Sequence, residues 1–346
     1  MAVFFVLLLF YMDSLTQIVL GAAVGNAVAG KKLKNRALVY GALAGTIPDM
    51  DILVGMFLDP VRAVEIHRGI SHSVFFAALV AVLLGWLVSK IERKSKLSFK
   101  EGYWLFFLGL FTHALLDMFT TWGTRLLWPV YSYPFAFKSV FVIDPLYTIP
   151  FIVCLILSMR QTENLKKRTY WNTMGLGISS GYLVLTLVLK GLAYQKFVED
   201  LDVRSVSYHS VSVKPSAMNT ILWNAIVDTP EAYLLGDYSF LDHSPVAFDA
   251  YAKNHHLLGS LREEELVKRL IVLSEGWYIV SEKEGDLYFN DLRFGLLKKE
   301  EGDVQFAFSY RLFTDDKGEL HAEEVFKERK DGVKLLKDLW IRLQGR

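Results

Sequence analysis

GYWLFFLGLFTHALLDMFT, residues 102–120, decides the fold of the first half of the chain. Its length approaches the roughly 20 residues that an apolar helix needs to cross a ~30 Å hydrocarbon core. His113 and Asp117 are its only His, Asp, Glu, Lys or Arg residues. Their i, i+4 spacing places both side chains on one side of a helix, about 6 Å apart. The run therefore predicts a membrane helix with two potential metal ligands at one end, or a helical His–Asp hydrogen bond that only satisfies two polar groups.

The rest of the first half repeats this apolar pattern. Of the 346 residues 52% are hydrophobic, and the mean hydropathy is +0.28. Five further runs of similar length occur, at residues 4 or 12 to 30, 37–57, 73–89, 141–159 and 172–190. Residues 1–195 are therefore predicted to form a polytopic α-helical membrane domain of about six spans. Gly21 and Gly25 in the first span, with Gly41 and Gly45 in the second, are typical of close helix–helix contacts.

The second half has a different pattern, in which short apolar runs alternate with charges. Four of these runs are typical of strands: Ser205–Val213, Thr220–Val227, Gly276–Ser281 and Val304–Leu312. Helical periodicity fits Val246–His256, Arg262–Ser274 and His321–Leu343. Residues 196–346 are therefore predicted to form a soluble α+β domain with an antiparallel sheet, joined to the first half near Gly191–Asp202.

Basic residues between the runs predict the orientation in the membrane. Thirteen Lys or Arg lie in residues 31–36, 90–100 and 160–168, whereas the alternate loops carry only four. The positive-inside rule makes the first set cytoplasmic. We therefore expect a multi-pass protein of a bacterial-type inner (cytoplasmic) membrane, with an extracytoplasmic C-terminal domain.

Composition argues against several classes of function. The net charge of +1 and the lack of a basic stripe argue against nucleic-acid binding. The single cysteine, Cys154, excludes an intrachain disulfide and a thiolate-rich zinc site. No nucleophile-elbow, P-loop or dinucleotide-binding motif is present.

The predicted topology brings histidines and aspartates from several spans to the outer face. Ionisable residues at membrane depth are costly unless they are paired, hydrated or bound to an ion, so this convergence predicts a divalent metal site. With a single cysteine in the chain, any such metal must be held by imidazole and carboxylate groups. The predicted ligands are Asp13, Asp49, Asp51, His67, His72, His113 and Asp117.

Several of these residues also have simpler interpretations. Asp49 and Asp51 can serve two ions, or one of them can orient a histidine that binds the metal. Asp144, at the start of the run at 141–159, is an eighth candidate ligand, and both Asp144 and Asp13 can instead be helix N-caps. Arg68 can bind a phosphate or pair with a nearby aspartate.

Four motifs, in order along the chain, resemble those of the YdjM-like family of membrane-bound metal-dependent hydrolases. They are MDSLTQIVLGAAVG at 12–25, GALAGTIPDMD at 41–51, HRGISHS at 67–73 and THALLDMFTTWGTRLLWP at 112–129. Gln17 departs from the histidine that many relatives carry. The family is distantly similar to zinc-dependent phospholipase C, which implies phosphoester hydrolysis with His113 and Asp117 as metal ligands.

We therefore expect a membrane-embedded hydrolase of a lipid or lipid-linked phosphoester, with one to three divalent ions, zinc favoured, held at the outer face between helices. Metal-activated water attacks phosphorus, Asp51 accepts the proton of that water, and Arg68 stabilises the developing charge. Two other classes of function stay open. One is an ion-handling membrane protein, and the other is a metal-stabilised anchor whose outer domain binds a partner. The sequence identifies no protein partner.

Overall fold

A computed structural model describes residues 2–300, 303–325 and 332–345, with side chains at 14–296, 304–325 and 334–345. The chain forms two compact units. The first contains residues 1–56, 66–189 and 217–220, and the second contains residues 57–65, 190–216 and 221–346. Because 57–65 belongs to the second unit, the chain leaves the helical unit and returns to it before its third long helix.

The first unit is built from helices. They are α1 (Ala2–Leu33), α2 (Asn35–Thr46), α3 (Asp51–Gly55), α4 (Pro60–Ile66, mostly in the second unit), α5 (Val74–Ile91), α6 (Phe99–Asp117), α7 (Pro145–Met159) and α8 (Leu165–Val203, which continues into the second unit), with 3-10 turns at Pro48–Met50, Ile70–His72 and Arg93–Ser95.

Fewer of these helices than the predicted six qualify as membrane spans. Among the described residues, α5 and α8 are long and apolar enough to cross a membrane, and α2 with Pro48–Gly55 makes a third if that bent pair is one span. α7 is apolar but has only 15 residues. α6 carries charged residues in its first and last turns, which shortens its uninterrupted apolar stretch. Two or three candidate spans are thus present, and six are not confirmed.

The predicted second span, residues 37–57, is broken at a proline. α2 ends at Thr46, and the segment Pro48–Gly55 that follows is bent by 44°. Pro48 has no N–H to continue the hydrogen-bond ladder, and its ring clashes with the preceding turn of the helix, although Ile47 before it keeps helical dihedral angles. The bend places Asp49 and Asp51 off the axis of α2.

Glycines bring α1 and α2 into backbone contact. A Cβ atom on Gly41 would lie 2.1 Å from the carbonyl oxygen of Gly21, and one on Gly21 would lie 2.3 Å from that of Gly41. Gly25 and Gly45 are equally enclosed. The predicted small-residue contact is confirmed, and any side chain at Gly21 or Gly41 would force the helices apart.

The second unit is a mixed α and β domain with two antiparallel sheets. Their strand orders are β1-β2-β3-β4 and β5-β6-β7-β8. The strands are β1 (Ser210–Pro215), β2 (Leu222–Asp228), β3 (Ala232–Ser239), β4 (Phe248–Ala252), β5 (Tyr278–Lys283), β6 (Asp286–Glu300), β7 (Asp303–Thr314) and β8 (Leu320–Glu324), with helices α9 (Glu265–Leu273) and α10 (Gly332–Leu343) and a 3-10 segment at His255–Glu263. One hydrophobic cluster joins both sheets through Ile226, Tyr233, Ile279, Leu292 and Phe306.

Two predicted helices of this domain are partly wrong. Val246–His256 contains β4, whose Phe248, Ala250 and Ala252 recur with the period of two that suits its pairing with β3. His321–Leu343 begins with β8, because a turn with Asp315 as acceptor and Gly318 at positive φ folds the chain back onto β7. α9 agrees with the predicted helix Arg262–Ser274. α10 matches the end of the predicted helix His321–Leu343.

The predicted junction at Gly191–Asp202 is part of a helix. α8 continues without a break through Val203, so the predicted domain boundary at residues 195 and 196 falls inside it. Phe197 and Leu201 are fully buried. This burial extends the helix beyond its apolar run.

Candidate metal centre

Four side chains from three segments of the first unit converge on one point. Asp49 lies in the 3-10 turn after α2, His72 in the turn before α5, and His113 and Asp117 in the last two turns of α6. One ligand atom of each lies within 4.8 Å of all the others, so the group can hold a metal ion. His72, His113 and Asp117 are almost fully buried, while the Asp49 side chain is 14% exposed.

The spacing of the ligand atoms matches a single tetrahedral ion. His72 Nε2 lies 3.1 Å from His113 Nε2, 3.4 Å from Asp49 Oδ1 and 3.2 Å from Asp117 Oδ2. His113 Nε2 lies 3.3 Å from Asp49 Oδ1 and 3.6 Å from Asp117 Oδ2. Zinc–ligand bonds of about 2.0–2.1 Å imply edges of about 3.3 Å in a tetrahedron. The five observed separations, 3.1–3.6 Å, are close to that value, so the donor set can hold such an ion.

Hydrogen bonds at the far side of each ring fix the histidine tautomers. His113 Nδ1 donates to the carbonyl oxygen of Gly45 at 2.7 Å. Ser71 Oγ donates to Asp51 Oδ2 at 2.5 Å and therefore accepts from His72 Nδ1, 2.9 Å away. Both Nε2 atoms are left with a lone pair directed at the shared point, as in metal sites whose histidines are oriented by outer partners.

Asp117 presents one oxygen to the same point. Its Oδ1 accepts from Gln17 Nε2 at 2.9 Å, and its Oδ2 is buried without a hydrogen-bond partner among the described residues. A buried carboxylate oxygen is costly unless a positive charge lies beside it, and the Arg68 guanidinium, 3.5 Å from Oδ2, already supplies part of that charge. Gln17 thus orients the carboxylate, and its own Oε1 is likewise unsatisfied within the described part of the chain.

Asp51 and His67 lie beside the group of four rather than within it. Asp51 Oδ1 is 2.8 Å from His67 Nδ1, and Oδ2 accepts from the Arg68 backbone N–H at 3.2 Å as well as from Ser71. Both oxygens of Asp51 are therefore engaged in orienting the loop and, through Ser71, the ring of His72. The His67 side chain is 20% exposed.

Arg68 places a guanidinium group next to the acidic side of the group. Its Nε lies 3.5 Å from Asp117 Oδ2, and its Nη1 donates to Thr120 Oγ1 at 2.6 Å. The residue has φ of +60°, a left-handed conformation that a non-glycine residue rarely adopts. Backbone strain of this kind is often found at functional sites.

The remaining predicted residues have other positions. Asp13 lies in α1, but its side chain is outside the described part of the structure. Asp144 caps α7, accepting from the backbone N–H groups of Leu146 and Tyr147, and its Oδ2 accepts from Tyr182 at 2.7 Å. Ser71 and the carbonyl of Gly45 were not predicted to take part. In the sequence, the one indication that Ser71 orients His72 is its position next to that residue in HRGISHS.

The carboxylates of Asp49 and Asp117 also shift the pKa of His72. Burial alone would lower the pKa of His72, but the nearby carboxylates of Asp117 and Asp49 raise it overall, so that a proton or a metal ion at its Nε2 is favoured. The site thus favours positive charge.

A second, more exposed group lies in the C-terminal domain. Asp315, Glu319 and His321 bring three ligand atoms within 4.8 Å of one another in the turn between β7 and β8. Exposed acidic groups of this kind are common without an ion. Within this group His321 Nε2 lies 3.1 Å from Asp315 Oδ2.

The fold and this centre together define a membrane protein with a buried His/Asp group able to hold a metal ion. The family model of the YdjM inner membrane protein matches residues 12–196, more than half of the chain, and the chain belongs to that family. It is also 32% identical over 109 residues to the inner membrane protein YbcI of Escherichia coli (strain K12). That alignment covers 31% of this chain and 61% of the relative. No solved structure matches the chain.

Proposed function

We propose that the chain is a membrane-embedded, metal-dependent hydrolase of a phosphoester. The observation that carries the proposal is the convergence of His72 Nε2, His113 Nε2 and carboxylate oxygens of Asp49 and Asp117 on one buried point. Asp49, His72, His113 and Asp117 hold the ion, and their nitrogen and oxygen donors favour zinc. A divalent cation held there supplies Lewis-acid activation of water and of a phosphoryl oxygen.

The residues around the group support charge stabilisation and proton transfer. Arg68, buried beside Asp117, has the planar fork that suits a phosphoryl group. His67 and Asp51 form a pair in which the carboxylate orients the imidazole, so that Asp51 acts in proton acceptance through His67 rather than directly.

The exposed side of the centre favours an amphiphilic substrate. Asp49 is its most exposed ligand, and the neighbouring Met50, Leu53 and Val54 are all more than half exposed. Exposed apolar side chains beside the least buried ligand are suited to contact acyl chains, which supports a lipid or lipid-linked phosphoester as substrate.

The topology is part of the same proposal. We assign six crossings with the basic loops in the cytoplasm, which puts the centre and the C-terminal domain at the extracytoplasmic side of a bacterial inner membrane.

Hydrolysis by the purified full-length protein tests the proposal. In nanodiscs, wild type is expected to hydrolyse a headgroup-labelled phospholipid, to lose this activity after chelation and to regain it with Zn²⁺. Asp117→Asn, close in size to the wild-type side chain, should show no activity under any of these conditions. Failure of the zinc-loaded wild type to hydrolyse labelled phospholipids or bis(4-nitrophenyl) phosphate would contradict the proposal.

One observation favours a second function, a metal-stabilised anchor. Four protein ligands complete a tetrahedron, as in structural zinc sites, whereas catalytic zinc sites keep a position open. If chelation lowers the thermal unfolding midpoint while the zinc-loaded protein hydrolyses no phosphoester, the anchor function is favoured. For hydrolysis, the exposed Asp49 is the ligand best placed to give way to water.

A further inference from the structure

The C-terminal helix α10 presents an apolar face that its own domain leaves uncovered. Leu336, Trp340 and Ile341 are 50%, 63% and 57% exposed. They surround Lys337, which is also exposed, on the outward side of the helix. Interfacial helices combine large apolar side chains, among them Trp, with Lys in this way.

The opposite face of α10 is fixed to the domain. Arg342 donates to Asp242 from Nη1 at 2.8 Å and from Nη2 at 2.6 Å, and its Nε donates to Asp237 Oδ2 at 3.0 Å. Ser239 Oγ donates to the carbonyl of Leu343 at 2.6 Å. Charge-assisted hydrogen bonds of Arg342 therefore fix the orientation of α10 that exposes Trp340.

The segment that holds α10 also holds the end of the membrane-span candidate α8. Phe197 packs against Tyr238, with ring centroids 6.1 Å apart, and Asp200 accepts from the Val246 backbone N–H at 2.5 Å. These contacts and those of Arg342 are made by one stretch of chain, residues 237–246.

The distance along α8 places this stretch near the membrane surface. No Asp, Glu, Lys or Arg lies between Arg168 and Lys190, so the apolar run ends just before Lys190. At 1.5 Å per residue, Phe197 is about 10 Å further along the helix. The polar headgroup region of a bilayer is about 5–8 Å deep on each side of the hydrocarbon core.

We propose that α10 lies on the bilayer surface, with Leu336, Trp340 and Ile341 inserted between lipid headgroups and Lys337 at the level of the phosphates. The partner is the lipid surface itself, and anionic phospholipid strengthens the contact through Lys337. The proposal is independent of the metal centre and of any hydrolysis.

Spin-label accessibility in nanodiscs tests the proposal on the full-length protein. Cys154→Ser removes the native cysteine, and a label is placed through Trp340→Cys or, as a matched control, Glu263→Cys, whose side chain is 79% exposed in the same domain. The ratio of collision with oxygen to collision with a water-soluble nickel chelate is expected to be several-fold higher at position 340 than at 263. It should rise further when phosphatidylglycerol is added.

Two results would overturn the proposal. In the first, position 340 has the same ratio as position 263 in both lipid mixtures. In the second, labels at 340 are shielded from both reagents and show a short, sharp label–label distance, which would assign the face to a second copy of the chain. Unfolding midpoints of the labelled proteins that match wild type ensure that either result reports on the folded domain.

Discussion

The Nε2 atoms of His72 and His113 lie 3.1 Å apart, and each belongs to a ring whose Nδ1 donates to another group. Two neutral imidazoles in these tautomers direct lone pairs at each other, which is unfavourable unless a proton or a metal ion lies between them. Asp49 and Asp117 add carboxylate oxygens at 3.2–3.6 Å from these nitrogens, and the Arg68 guanidinium, 3.5 Å from Asp117 Oδ2, offsets only one of their two negative charges, so a cation between the nitrogens is favoured.

The hydrogen bonds from His72 to Ser71 and from Ser71 to Asp51 form a relay that orients the His72 ring. Removal of this relay should weaken metal binding without removing a ligand. Ser71→Ala or Asp51→Asn is expected to lower zinc affinity about 10- to 100-fold, the usual effect of losing a partner that orients a metal-bound histidine. A chelator-competition titration measures this.

Ser73→Ala provides the matched control within the same motif. Ser73 caps α5 by accepting from the Phe76 backbone N–H at 3.1 Å, so its loss should cost about 1 kcal/mol of stability and leave zinc affinity unchanged. Wild-type affinity in Asp51→Asn would show that the relay does not act on the site.

The contact between α1 and α2 should not tolerate a methyl group. Gly41→Ala places its Cβ against the Gly21 carbonyl and is expected to destabilise the protein by about 1–3 kcal/mol or more, the range for overpacked cores. Gly177→Ala is the control, since nothing lies within 4 Å of its Cβ position in α8. That change should be neutral or stabilising by about 0.5–1 kcal/mol. Equal unfolding midpoints of the two variants in detergent would contradict the packing described here.

His255 should make the C-terminal domain sensitive to acid. Its ring stacks on Tyr278 with centroids 3.9 Å apart, and its Nε2 donates to the Tyr278 carbonyl at 2.8 Å. Burial lowers the pKa of His255 from its ordinary 6.5. The unfolded chain therefore binds the proton more readily, so stability is complete above pH 6.5, declines as pH falls through that value and levels off below the folded pKa.

The expected difference is in the pH slope of the unfolding midpoint. Between pH 8 and pH 5, His255→Gln should lose less stability than wild type, although it is less stable at pH 8. The exposed neighbour His256 supplies the control, His256→Gln, which should follow the wild-type curve. A wild-type slope in His255→Gln would show that this ring does not set the acid response.

The part of the site that lies on one helix could be predicted from sequence. His113 and Asp117 are four residues apart on α6, and helix geometry alone brings them together. The different roles of Asp49 and Asp51 could not be predicted, because they depend on where α2 ends. The bend at Pro48 turns Asp49 towards the histidines and Asp51 towards His67.

Contacts between distant segments explain the remaining differences. The Ser71 relay requires the turn before α5 to pack against α3, and no spacing along the chain encodes this. Residues 321–324 fit a helical period, yet pairing with β7 after the turn at Gly318 makes them a strand. The length of α8 beyond Lys190 likewise depends on burial of Phe197 within the C-terminal domain.

Metal content of the purified protein tests the central claim most directly. Elemental analysis of detergent-purified wild type is expected to give at least one divalent ion per chain, with zinc the favoured metal, and His113→Ala/Asp117→Asn should lose it. His321→Ala, which alters the exposed group in the C-terminal domain, should keep it. Equal metal content in wild type and in the His113/Asp117 variant would contradict the account.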